Sequence, residues 1–128
     1  MKALTAEWVR KAEADFHSCR RETRARRHPN YDSACFHAQP CAEKYLKARL
    51  QEAGLGFPKT HDLNELLKRV VAVEPSWQTL QPALDVLANY AVVFRYPGFW
   101  ASRSDALKAL KACHQVRRTA RRSLGLKP

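Results

Sequence analysis

Apolar residues recur every three or four positions along nearly the whole chain, a pattern that predicts helices. Near the start, Trp8, Ala12, Phe16 and Cys19 stand at steps of four, four and three. Thr5 is placed to cap this helix, which fades across Arg24–His28 and must end before Pro29. A second helix begins at Asn30 or Asp32 and carries the stripe Ala34, Ala38, Cys41, Tyr45, Ala48, widened by Leu46 and Leu50. Gly54 ends it. Pro40 falls inside this helix. It lacks the amide that would bond the Phe36 carbonyl and crowds that carbonyl, at a cost of about 3 kcal/mol or more, so a kink near Phe36–Pro40 is expected.

Gly54–Pro58 reads as a turn. Asp62 followed by Glu65 resembles a capping box and opens a shorter helix to about Val73. Val70–Val73 is rich in β-branched residues but continues the helical spacing of Leu63, Leu66 and Leu67. Pro75 interrupts, Ser76 caps a turn, and a fourth long pattern buries Leu80, Leu84, Leu87, Ala88, Ala91 and Val92. Pro97-Gly98 fixes a loop from Arg95 to Ala101. Ser102 and Asp105 open a last helix with Leu107, Leu110, Cys113, Val116, Ala120 and Leu124 inside and Lys108, Lys111, Arg118 and Arg122 outside. With no alternating strand pattern, the expectation is an all-α fold: an up-and-down four-helix bundle with one additional short helix. At 128 residues, one domain spanning 1–128 is expected.

Charge changes this picture. The net charge of +11 sits in the terminal segments: residues 1–30 carry eight Lys/Arg against four Asp/Glu, residues 102–128 eight against one, and residues 31–101 seven against seven. Fourteen of the 23 basic residues are Arg, whose planar fork suits phosphate. If the first and last helices are neighbours, Arg118, Arg121 and Arg122 join a cationic surface for RNA, DNA or an acidic partner; otherwise the charge only solvates that face. No apolar leader or bilayer-length run is present, so a cytoplasmic location is expected, with no membrane contact. Cys19, Cys35, Cys41 and Cys113 form no Cys-x-x-Cys pair and read as buried free thiols rather than a disulfide framework.

Polar chemistry concentrates in Phe36-His37-Ala38-Gln39-Pro40-Cys41-Ala42-Glu43-Lys44-Tyr45-Leu46-Lys47, in Thr60-His61-Asp62-Leu63 and in Arg95-Tyr96-Pro97-Gly98. His37 and Cys41 lie one turn apart, but two ligands make no zinc site, so neither metal nor cofactor is expected. His37 either lines a cleft or satisfies a buried hydrogen bond. Glu43 and Lys47 form an i,i+4 pair that is either a salt bridge or a ligand contact. Arg95 and Tyr96 either meet a phosphate or base or build a structural corner. His61 reads as part of a helix start.

In order and spacing these segments resemble the HEPN (higher eukaryotes and prokaryotes nucleotide-binding) family, in its small stand-alone prokaryotic form. The resemblance runs from about Trp8 to the last helix. It implies a helical bundle that dimerises around a polar cleft, with His37, Glu43, Lys44, Lys47, Arg95 and Tyr96 as nucleotide- or phosphate-binding residues. Small members of this kind resemble partners of a separately encoded minimal nucleotidyltransferase, sometimes as a toxin–antitoxin pair. Many relatives are metal-independent ribonucleases whose Arg is followed, after four to six residues, by a His. Beyond Arg95 those places hold Trp100, Ala101 and Ser102, so the motif is incomplete and enzyme status is left open. Pro40 departs from a position where the family often has Gln. The alternatives are a ribonuclease with a non-standard site, drawing on His37, His114 or a partner chain, and a non-catalytic protein-interaction subunit.

Overall fold

The computed structural model describes residues 1–128. Its elements are α1 (Ala3–Arg24), α2 (Tyr31–Glu52), α3 (Leu63–Val71), a 3-10 helix (Pro75–Leu80), α4 (Gln81–Val93) and α5 (Arg103–Ser123). The chain is all-helical, with four longer helices bundled and α3 as the short addition.

α2 is the axis of the fold. It packs against α1, α5, α4 and α3, whereas α1 touches only α2 and α5. Half of its 22 residues are buried, including Ala34, Cys35, Ala38, Cys41, Ala42, Tyr45, Leu46, Ala48 and Leu50. The facing surface of α5 is also built of small residues: Ala106, Ala109, Ala112, Cys113, Val116 and Ala120. Short side chains on both helices let the two backbones approach closely, while Trp77, Leu66, Leu67, Leu80, Leu84 and Leu87 fill the wider space beside them. All four cysteines are free and buried. Burial pushes the Cys19 and Cys35 thiols up to about 12, so they stay protonated near neutrality.

Several expectations change in detail. α1 starts before Thr5, because Lys2 is anchored: its backbone N–H donates to Glu52 at 3.0 Å. Thr5 is consequently a buried residue within the helix, not its cap. Trp8 is only half-buried, packed edge-on against Phe57 at 6.1 Å. On α5 the closely packed alanine face displaces Leu107, which is 45% exposed. Ala88 and Ala91 are partly buried and Val92 is exposed, since this end of α4 borders a hollow. α3 stops at Val71, and Asp62 caps it by accepting from the amides of Asn64 and Glu65, while Glu65 pairs with Arg69 instead of closing the box. α2 runs from Tyr31 to Glu52 with Pro40 inside it, as the spacing indicated.

The ends that position the later site are firmly capped. Asn30 accepts from the Ser33 amide at 2.9 Å to start α2. Ser102 and Asp105 form a complete capping box at α5. Asp32, in the first turn of α2, accepts from the Ala101 amide at 2.7 Å and ties the α4–α5 corner to it. Replacing Ser102 by Ala should destabilise the protein by about 1 kcal/mol, as for other N-caps. Ser104→Ala, also exposed in the same turn, should leave the urea midpoint unchanged.

Candidate functional site

α2 carries charge into a crowded bundle, and every such charge is matched. Glu43 is 3% and Lys47 6% exposed, and Lys47 Nζ donates to Glu43 Oε2 at 3.0 Å. Lys47 also stands 5.4 Å from the centre of the Trp8 ring, which explains why that indole lies at the edge of the core. The second oxygen, Glu43 Oε1, accepts from His61 Nδ1 at 2.8 Å and from Gln39 Nε2 at 3.5 Å. Gln39 in addition donates to the His61 carbonyl at 3.0 Å. Gln39 and Glu43 together therefore hold the segment before α3 against α2.

One turn away, Asp15 of α1 accepts from both His37 Nδ1, at 2.9 Å, and Lys44 Nζ. Further along the α1–α2–α5 junction, Glu13 receives a forked pair from Arg117 at 2.7 and 2.8 Å, the Tyr45 hydroxyl at 2.5 Å and an ion pair from Arg121 at 3.4 Å. Burial works to raise the Glu13 pKa, but the bonds from Arg117 and Tyr45 outweigh it and hold the carboxyl below its ordinary 4.5.

Between α2, the start of α3 and α4 lies a hollow of about 600 Å³. Gln39, Glu43, Lys44, His61, Asp62 and Arg95 form its polar side, and Phe36, Pro40, Leu63, Ala88, Ala91 and Val92 its apolar side. The volume falls within the range usual for small-molecule sites. Arg95 lies over the Phe36 ring with its guanidinium carbon 5.1 Å from the centroid, which fixes the side chain at the rim without neutralising it.

Of the six residues expected to bind nucleotide or phosphate, the hollow gathers Glu43, Lys44 and Arg95. Lys47 lies behind Glu43 in the core, His37 turns to α1 and Asp15, and Tyr96 stays outside at 61% exposure. The residue that the sequence reading undervalued is His61. It does stand just before the α3 cap, as expected, but its ring also reaches Glu43 and faces the hollow. The Thr-His-Asp-Leu segment carried that signal. Among the expected basic residues, Arg118 and Arg122 are exposed, whereas Arg121 is drawn inward to Glu13, the Tyr45 hydroxyl and the Lys127 carbonyl.

The chain is thus a helical bundle with a polar hollow between its second and fourth helices. The family profile described as the HEPN domain matches residues 5–123, and the chain belongs to that family. The crystal structure of an archaeal HEPN homologue superposes with a TM-score of 0.69 at 21% identity, over 96% of this chain and 98% of that one, a likeness of fold. No curated protein gave a significant match.

Two predictions follow from the matched charges. Glu43→Ala leaves Lys47 buried without its counter-ion and should cost roughly 3–5 kcal/mol. Adding Lys47→Met should recover much of that loss in urea unfolding; equal instability of the single and double variants would show that the pair is not the cause. Glu13 is held below its ordinary 4.5, so its contribution to stability is complete above that value and is lost as pH falls through the depressed one. Glu13→Gln should accordingly flatten the fall of the urea midpoint on acidification below about pH 4.5.

Proposed function

We propose that the hollow binds the phosphate of a nucleotide, in a cytoplasmic homodimer that works with a minimal nucleotidyltransferase in a toxin–antitoxin-like system. One observation carries the reading: Arg95 and Lys44 share a nucleotide-sized hollow with an apolar wall. Arg95 has no carboxylate partner, so its fork is free for an anion, and Phe36 with the alanines of α4 offers a surface for a base. Tyr96, Phe99, Trp100 and Val92, all more than half exposed along the adjoining corner, supply an apolar surface consistent with a second copy covering it. The nucleotidyltransferase partner and the toxin–antitoxin setting rest on the resemblance to small HEPN proteins. A short nucleotidyltransferase reading frame beside this gene would support them.

A second reading, a metal-independent ribonuclease, is favoured by His61. Its Nδ1 is held by Glu43 at 2.8 Å while the ring is largely exposed, which leaves Nε2 available for proton transfer in the hollow that contains Arg95. Of the other histidines, His37 is committed to Asp15 and His114 packs on Phe16 at 5.5 Å, away from the hollow.

Calorimetric titration with adenosine and guanosine nucleotides and with inorganic phosphate separates these readings. Nucleotide binding that weakens about 10-fold or more in Arg95→Ala, the loss of one charge-assisted contact, is expected. No heat with any nucleotide would refute the binding site. RNA cleavage that disappears in both His61→Ala and Arg95→Ala, with nucleotide binding kept in the former, would promote the ribonuclease reading.

A further inference from the structure

The two ends of the chain meet along the α1–α5 seam, on a face of the bundle that shares no residue with the hollow. On α1 a shallow groove is lined by His17, Arg20, Arg21 and Arg24 alone. Across the seam stand His114, Arg117 and Arg118 of α5. Arg20 and Arg117 flank the Phe16 ring, with guanidinium carbons 5.4 and 4.6 Å from its centre, and His114 meets the ring edge-on at 5.5 Å. The His114 pKa is lowered, first by burial and then by the positive charges of Arg118, Arg117, Arg20 and Arg24, so the field of guanidinium groups on both helices is felt at this ring.

This face is cationic because the acids of α1 beside it are turned away. Glu13 is taken by Arg117 and Arg121, Asp15 by His37 and Lys44, and Glu22 by the amide of Asn30 at 2.7 Å. Arg20, Arg21, Arg24 and Arg118 have no carboxylate within 4.0 Å, whereas Arg117 and Arg121 do. Placing Arg21 and Arg24 in the last turn of α1 suits its dipole, but that accounts for neither Arg20 nor Arg118. The groove also lacks any apolar residue. A protein partner needs an apolar centre to its interface, whereas a sugar–phosphate backbone needs only spaced donors and positive charge.

We propose that the α1–α5 seam is a binding surface for the phosphodiester backbone of a nucleic acid, with Arg20, Arg21, Arg24 and Arg118 as the phosphate contacts. It is independent of whether the hollow holds a nucleotide. Four neutralised phosphates give a log–log salt slope of about −2.8 for a single strand, hence a roughly 50-fold loss of affinity between 50 and 200 mM salt.

The test is fluorescence anisotropy across that salt range with single-stranded RNA and DNA of one sequence, about 20 nucleotides long, against the intact protein. Removing two charges in Arg21→Gln/Arg24→Gln should halve the slope to about −1.4 and reduce the salt-driven loss to roughly 7-fold. Arg118→Gln alone, on the other helix, should lower the slope by about 0.7, and helicity by circular dichroism should be kept in both. Equal binding of the two strands, or a preference for either, supports the proposal when the slope changes in this way and identifies the preferred source of phosphodiester. Failure of both strands to bind at 50 mM salt, an unchanged slope in correctly folded variants, or equally tight binding of polyglutamate would overturn it. Arg95→Ala should leave the oligonucleotide slope within about one contact of the parent, and a parent protein that binds oligonucleotide but no mononucleotide refutes the hollow and not the seam.

Discussion

The constraint on which the rest of the structure depends is the enclosure of α2. A helix packed against four others leaves little solvent for a charge, and α2 nevertheless carries Glu43, Lys44 and Lys47 in its middle. Each is matched by a specific neighbour, and those matches determine what lies beside what. Glu43 fixes Lys47 on one side and His61 on the other, so the segment before α3 is drawn against the helix. Asp15 bonds His37 and Lys44 and sets α1 alongside. Glu13 adds α5 through Arg117. Buried ion pairs offer little net stability over apolar side chains of similar size, but once built they penalise any register that parts them.

The same pairing shapes the surface. Because the carboxylates of α1 between Glu13 and Glu22 are engaged by their neighbours, the outward part of that helix is left with its arginines. The polar hollow and the cationic seam are thus two results of one arrangement. Where a carboxylate can meet both α2 and a neighbouring element, it is used internally, and cations without such a partner remain outside. Arg95 reaches its place by a different route: it holds no ion pair and lies against the Phe36 ring, a contact that orients the guanidinium while keeping its charge available.

Much of this was legible from residue spacing, because helical periodicity and capping residues are local signals. Ser102 with Asp105, Asp62 and Asn30 all start helices where their chemistry indicates. The errors arise where a decision is made by a distant partner. Thr5 lost its capping place to a turn stabilised by Lys2 on Glu52, fifty residues away. Leu107 fits a helical stripe, but the alanine side of α5 was chosen by the equally small side of α2, a property of the pair that neither helix displays alone. Among candidate site residues, spacing singled out Glu43, Lys44 and Arg95, which line one hollow. It could not separate them from His37 and Lys47, which sit on the same helix but turn to α1 and the core, since one residue of rotation decides which neighbour a side chain meets.

The contact between Asp32 and the Ala101 amide joins positions 69 residues apart, at the beginning of α2 and immediately before α5. Arg95 lies in the stretch suspended between the end of α4 and that tether. Unwinding the first turn of α2 would release the stretch, and straining the stretch would pull on the turn. The guanidinium at the rim is therefore joined to the first half of the central helix twice, through the Asp32 carboxylate and through the Phe36 ring.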